Sequence, residues 1–221
     1  MNLDDIKAQF NEKTNIFTEH KEGLANLINI VGEPLEGNSI YEHGTLREVP
    51  LLLNKQLNLF WVGTQAETSM CEIGFNGGHS ALLFLLGNTA ENLRFTIFDI
   101  ASHSYVPVCF DYIQSKFSNV NFELIIGDST ITVPKFVDSN SRLIGTYDVV
   151  HVDGGHWDHV VESDMKMAKQ LVRVGGILVI DDTDTTHINS EVEDCIKSGS
   201  YIEINIFKSQ YYEHRILRRI V

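Results

Sequence analysis

Residues Met70–Ser80 read Met-Cys-Glu-Ile-Gly-Phe-Asn-Gly-Gly-His-Ser and run directly into Ala81-Leu82-Leu83-Phe84-Leu85-Leu86. An acid closes a short apolar run, glycines make a turn, and a Leu-rich helix follows. This order predicts a strand–turn–helix unit of the kind that holds nucleotides in open α/β sheets. The dinucleotide version needs a glycine two residues after the first, where the backbone must approach a pyrophosphate. Asn76 occupies that place, and the glycines fall at Gly74, Gly77 and Gly78. A nicotinamide oxidoreductase is therefore disfavoured.

The runs that follow repeat the acid. Leu93–Phe98 ends in Asp99, and Phe122–Ile126 leads into Gly127-Asp128-Ser129. Tyr147–Val152 leads into Asp153-Gly154-Gly155-His156, and Gly175–Ile180 into Asp181-Asp182. A single Asp after a strand is most often a helix cap or turn residue. Five acid-ended runs in series around one glycine turn say more. Ligands of open α/β sheets bind beyond the carboxyl ends of the strands, so these acids are expected on one rim. Asp99, at the end of the second strand, suits the two hydroxyls of a ribose.

Two segments flank this repeat. In residues 1–63, Ile6, Phe10, Phe17, Leu24, Leu27 and Ile28 recur at roughly helical spacing. The stretch Gly32–Tyr41 reads as a loop. A second helix is expected around Leu46–Trp61, with Pro50 in its first turn or breaking it. The reading is a helical cap over the sheet rim, ahead of a domain spanning 64–221. Within that domain Val160, Val161, Met165, Ala168, Leu171 and Val172 share a helix face, which Gly175-Gly176 is expected to end. The tail holds two apolar runs, Tyr201–Phe207 and His214–Ile220, joined by Ser209–Glu213. Strands joined so closely must be antiparallel.

Lys and Arg total 17 against 30 Asp and Glu, a net charge of −13 that repels phosphate backbones and anionic membranes. The one basic cluster, Arg215, Arg218 and Arg219, lies in the expected last strand. Cys71, Cys109 and Cys195 are scattered, which suits buried thiols in a reducing compartment. No apolar leader or membrane-length run is present, so a cytoplasmic protein is expected.

The acid-x-Gly-x-x-x-Gly turn of Glu72, Gly74 and Gly78, with the acid-ended strands after it, resembles class I S-adenosylmethionine-dependent methyltransferases. The resemblance implies an α/β, Rossmann-like class I methyltransferase sheet, mostly parallel with a C-terminal antiparallel hairpin, plus the N-terminal helical cap. It implies S-adenosylmethionine held by Glu72, Gly74, Asn76, Gly78 and Ser80, with Asp99 on the ribose and Asp128 beside the adenine. Glu72 would meet the cofactor's amino group.

Over roughly residues 69–185, Val152-Asp153-Gly154-Gly155-His156 and Ile180-Asp181-Asp182 are also similar to metal-dependent O-methyltransferases. Both catechol O-methyltransferase-like enzymes and macrocin-type sugar O-methyltransferases share this pattern. It implies Mg²⁺ or a similar divalent cation on Asp153, Asp181 and Asp182, where it would relieve the repulsion of three carboxylates. Some sugar O-methyltransferases carry a second Asp two places after the first, but Gly155 stands there and His156 follows. Asp153 and His156 are the candidate catalytic pair: either His156 takes the acceptor's proton, or the metal alone acidifies the hydroxyl.

His151 reads as a core residue and His79 as a packing residue at the turn. Trp157, Tyr41, His43 and Trp61 are candidates for an acceptor pocket. The expected function is methyl transfer to a hydroxyl of a small molecule, sugar or phenol, with a divalent metal assisting. A metal-independent N- or O-methyltransferase and a non-catalytic S-adenosylmethionine-binding protein stay open as alternatives. The expected partner is a small-molecule acceptor, with no nucleic acid and no membrane, and assembly into a homo-oligomer is left open.

Overall fold

The acid-ended runs form strands of one sheet, because each alternates side chains between two apolar layers. The computed structural model describes residues 2–204, 206–209 and 211–221. Its strands are β1 (Ser69–Ile73), β2 (Leu93–Asp99), β3 (Val120–Ile126), β4 (Tyr147–Val152), β5 (Val172–Ile180), β6 (Tyr201–Glu203) and β7 (Arg215–Arg219). They lie in the order β3-β2-β1-β4-β5-β7-β6, with β7 antiparallel to both β5 and β6 and the other pairs parallel. Strand order reverses between β1 and β4, whose register sets Glu72 against His151 and Ile73 against Val152. A sheet of this type opens a crevice at that reversal, beyond the carboxyl ends.

The helices are α1 (Leu3–Glu12), α2 (Thr14–Val31), α3 (Leu53–Gly63), α4 (His79–Gly87), α5 (Tyr105–Lys116), α6 (Ser129–Ser139), α7 (Asp158–Leu171) and α8 (Thr186–Lys197). Met70, Phe95, Ile97, Val149, Ile177 and Val179 face one layer with α1–α5. Cys71, Phe98, Val150, Val152, Leu178 and Ile180 face the other with α6–α8. Each such side chain, fully buried, contributes about 1.5–3 kcal/mol.

The expected cap therefore sits differently from the sequence reading. Its helices share one apolar core with α4 and α5 on a sheet face, and the loop between α2 and α3 lines the cavity at the rim. A close approach fixes α3 on α4. A Cβ on Gly63 would stand 2.0 Å from the Phe84 carbonyl oxygen, and one on Gly87 2.0 Å from that of Phe60. The two glycines let the helix backbones touch.

Three boundaries differ from the sequence expectation. Pro50 opens a short 3-10 turn over Pro50–Leu52, and α3 begins only at Leu53. Gly175 and Gly176 lie inside β5, since α7 ends at Leu171 and Val172 turns extended. The pairing with β4 jumps from Tyr147–Val172 to Val149–Ile177, so the glycines form an irregularity in the strand. The strand expected over Tyr201–Phe207 ends at Glu203. Asn205 and Gln210, which fell in that strand and the following turn, lie outside the described residues. The basic cluster is taken up internally: Arg215 pairs with Glu193 and Glu203, and Arg219 bonds the carbonyls of Lys169 and Val172. Among the described residues no helix is long and apolar enough to cross a membrane.

Candidate active site

The glycine turn lies against the end of β4. Gly74 has φ +93°, and a Cβ there would meet the Asp153 carbonyl oxygen at 1.9 Å, so this position admits only glycine. Asp99 pins the turn from the neighbouring strand. One carboxylate oxygen accepts from the amides of Phe75 and Asn76, each at 2.8 Å, and the other from Ala101 at 2.6 Å. Asn76 sits in the left-handed region (φ 50°) and accepts from the Tyr105 hydroxyl at 2.8 Å.

Beyond this turn opens a cavity of about 950 Å³, large enough for a nucleoside cofactor and a small second molecule. Gly74, Asn76, Asp99, Asp128, Asp153 and Asp182 line it from the strand ends, and Glu36, Asn38, His43, His156, Trp157 and Tyr212 line it from the surrounding loops. Asp128 caps α6 through the Thr130 amide (2.9 Å) and hydroxyl (2.6 Å), bonds that hold its carboxyl below the usual range.

Other expected contacts lie beneath the surface of the site. Glu72 is fully buried, and its Oε1 accepts from Ser80 Oγ at 2.6 Å and pairs with His151 Nδ1 at 2.9 Å. Glu72, Ser80 and Gly78 are absent from the cavity wall, so they shape the turn from behind. His151 is buried as expected, and its Nε2 has no partner. His79 is a packing residue, edge-on to Tyr41, and burial lowers its pKa to about 4. Of the four acceptor-pocket candidates, His43 and Trp157 line the cavity. Tyr41 and Trp61 are buried in the core instead: Trp61 lies on α3, and Tyr41 packs edge-on to His79 with its hydroxyl on the Lys21 carbonyl.

The acids of β4 and β5 meet a residue that the sequence reading overlooked. Lys55, on α3, has no solvent exposure, and its Nζ lies 2.7 Å from each carboxylate oxygen of Asp181. The same ammonium donates to Asn38 Oδ1, whose amide nitrogen donates to Asp182 Oδ1 at 3.1 Å. Asp182 Oδ2 in turn stands 2.8 Å from His156 Nε2. A continuous polar chain thus runs from the first helical layer to the cavity wall. Lys55 and Asn38 carried a faint sequence signal at most: a lysine inside the apolar run Leu51–Trp61, and an asparagine in a loop.

The charges shift one another. Burial, then the Asp181 and Asp182 carboxylates, raise Asp153 well above the usual carboxyl range. Asp182 goes the other way: burial would raise it, but the His156 bond and the Lys55 charge outweigh that. The Asp182 bond raises His156 above the ordinary imidazole value, against the effect of burial.

The donor atoms that lie within 4.8 Å of one another belong to His151, Asp153 and Asp181, whereas the Asp182 carboxylate is turned to Asn38 and His156. Three carboxylates suit a hard divalent cation in kind. Their arrangement does not, because the Asp181 carboxylate is already ion-paired with the buried Lys55 ammonium.

Residues 71–183, just over half of the chain, match the family model described as a methyltransferase domain. The fold is similar to an O-methyltransferase from Bacillus cereus in complex with S-adenosylhomocysteine (TM-score 0.60, 14% identity, covering 92% of this chain and 91% of that one). It is similar to CalS11, a TDP-rhamnose 3′-O-methyltransferase of calicheamicin biosynthesis (TM-score 0.56, 15% identity, 77% and 81%). It is also similar to MycE of the mycinamycin pathway, in complex with Mg and S-adenosylhomocysteine (TM-score 0.52, 17% identity, 89% and 54%). By sequence, no curated protein matches the chain. The seven-stranded sheet with its glycine turn has the fold of the class I S-adenosylmethionine-dependent methyltransferases. The chain belongs to the methyltransferase-domain family and is an enzyme.

Proposed function

We propose that the enzyme methylates a hydroxyl group of a small molecule, a sugar or a phenol, held between the glycine turn and the loop carrying Glu36, Asn38 and His43. The observation that carries this reading is the His156–Asp182 pair, 2.8 Å apart on the wall of the cavity that Gly74 and Asn76 also line. S-adenosylmethionine, when bound, supplies a methyl group already activated on a sulfonium. The protein then needs to align an acceptor oxygen with that methyl and to remove one proton.

In this reading Gly74, Asn76, Asp99 and Asp128 hold the cofactor. The His156 ring, fixed through Nε2 by Asp182, leaves Nδ1 to take the acceptor's proton. Asp182 then faces the imidazolium that forms and stabilises it, as a carboxylate does in other His–Asp pairs. Trp157 and Tyr212 give the acceptor side flat apolar surface, which suits sugar rings and phenols alike. The net charge of −13 favours neutral acceptors over polyanions. A cytoplasmic setting fits the three free cysteines. The divalent ion expected from the sequence has no part in this reading, because Asp181 holds Lys55.

Incubation with methyl-labelled S-adenosylmethionine and a panel of sugars, catechols, amines and RNA tests the proposal. Label should pass to oxygen in hydroxylated small molecules. Label found only on amines or on RNA would contradict it.

A further inference from the structure

We infer that Lys55 is the resident cation of the acid cluster, an ammonium that α3 delivers to the place where this rim would otherwise gather a divalent ion. The inference shares the site of the proposed methyl transfer without depending on which acceptor is used.

A lysine with no solvent exposure stays charged only where acceptors replace its lost water. Lys55 Nζ donates to Asp181 Oδ1 at 2.7 Å and to Asn38 Oδ1, and Asp181 Oδ2 completes the ion pair at 2.7 Å. The ammonium is also anchored from behind. The reciprocal contact of Gly63 and Gly87 holds α3 backbone-to-backbone on α4, so the helix that carries Lys55 has no room to slide.

The surroundings of Lys55 are those of a cation site. His151, Asp153 and Asp181 each bring a donor atom within 4.8 Å of the others. His151 Nδ1 is engaged by Glu72, while its buried Nε2 has no partner. A carboxylate behind one ring nitrogen and a free second nitrogen is how metal-bound histidines are commonly held. A divalent ion on Asp181 would have to displace Lys55 or sit against its charge. With Lys55 in place, the Asp181 charge is met by the chain's own ammonium.

The test is a Mn²⁺ titration followed by electron paramagnetic resonance on the intact protein and on Lys55→Met, which keeps the length of the side chain and removes its charge. The wild type should show no stoichiometric site, and Lys55→Met should gain one. That new site should vanish when Asp181→Asn or Asp153→Asn is added. Stoichiometric binding by the wild type that either Asn variant abolishes would overturn the inference. So would a folded Lys55→Met protein that gains no site. If Lys55→Met does not fold, the wild type against Asp153→Asn decides alone. S-adenosylhomocysteine binding, measured on the same samples, reports on the methyltransferase reading separately, so the two can fail independently.

Discussion

His156 Nε2 stands 2.8 Å from Asp182 Oδ2, on the wall of the cavity that the glycine turn faces. His156 is half exposed while Asp182 is nearly buried, so in the proposed reaction the imidazole would meet the acceptor and the carboxylate would steer it. Replacing His156 by Ala should lower turnover by about 10²–10⁴-fold, the usual range for a positioned base. Binding of S-adenosylhomocysteine should stay unchanged, because in the proposed reaction the cofactor is held by Gly74, Asn76, Asp99 and Asp128. Asp182→Asn should keep its left-handed backbone (φ 51°), which Asn tolerates, and lose activity through the misplaced ring. Steady-state kinetics beside calorimetry separates the two effects. A turnover unchanged in His156→Ala would remove it from the chemistry.

The contact of α3 with α4 makes a prediction with an unusual sign. In an ordinary helix, Gly to Ala is stabilising by about 1 kcal/mol. At Gly63 the new Cβ would fall 2.0 Å from the Phe84 carbonyl oxygen, and at Gly87 equally close to that of Phe60. Gly63→Ala and Gly87→Ala should each destabilise by roughly 1–3 kcal/mol or more, the range for overpacking. A lowered urea midpoint confirms the close approach, and a raised one would contradict it.

Two buried histidines predict how stability depends on pH. Burial, aided by the Lys55 and His151 charges, pushes His214 down to about 3, and burial alone pushes His79 down to about 4. His214 Nε2 receives the Asn58 amide at 2.9 Å, a bond that a protonated nitrogen would lose. Unfolded, each ring titrates near ~6.5. Between the folded and unfolded values the unfolded chain binds more protons, so the contribution of each histidine is complete above about pH 6.5 and is lost as pH falls. At pH 5 the loss is of the order of 2 kcal/mol for each ring. Asp164, raised to about 6 by burial, works in the opposite direction, so the clean observable is a difference. His214→Gln and His79→Gln should each show a smaller fall in urea midpoint from pH 7.5 to pH 5 than the wild type. An equal fall would show that the ring is protonated in the folded protein.

The sheet was legible because its signals are local. Each strand is a short apolar run, and the turn at Gly74–Gly78 carries its own glycines. Five acid ends in series therefore placed β1 to β5 and the rim they share. The interior of the site was not legible, because it depends on contacts between distant parts of the chain. Lys55 and Asp181 are 126 residues apart, and nothing near Lys55 announces that a carboxylate will meet it. Glu72 reads as a cofactor ligand, and only the register opposite His151 shows that one of its oxygens is also engaged inside the sheet. Gly175-Gly176 has the composition of a helix stop, and only the pairing with β4 shows that the strand continues through it. Tyr41 and Trp61 could have faced either core or cavity, and the choice was made by the packing of α3 for Trp61 and by His79 and the Lys21 carbonyl for Tyr41.

Cofactor binding by the intact protein tests the whole account most directly. Isothermal calorimetry with S-adenosylmethionine should show saturable binding, and Asp99→Ala should weaken it. Asp99 both holds the Phe75 and Asn76 amides and faces the cavity, so its loss leaves buried donors unpaired. The expected weakening is about 1–3 kcal/mol, the usual penalty for such groups. Binding that Asp99→Ala reduces on that scale is the predicted result. No detectable binding by the wild type, or binding indifferent to Asp99, would contradict the assignment of the cavity to this cofactor.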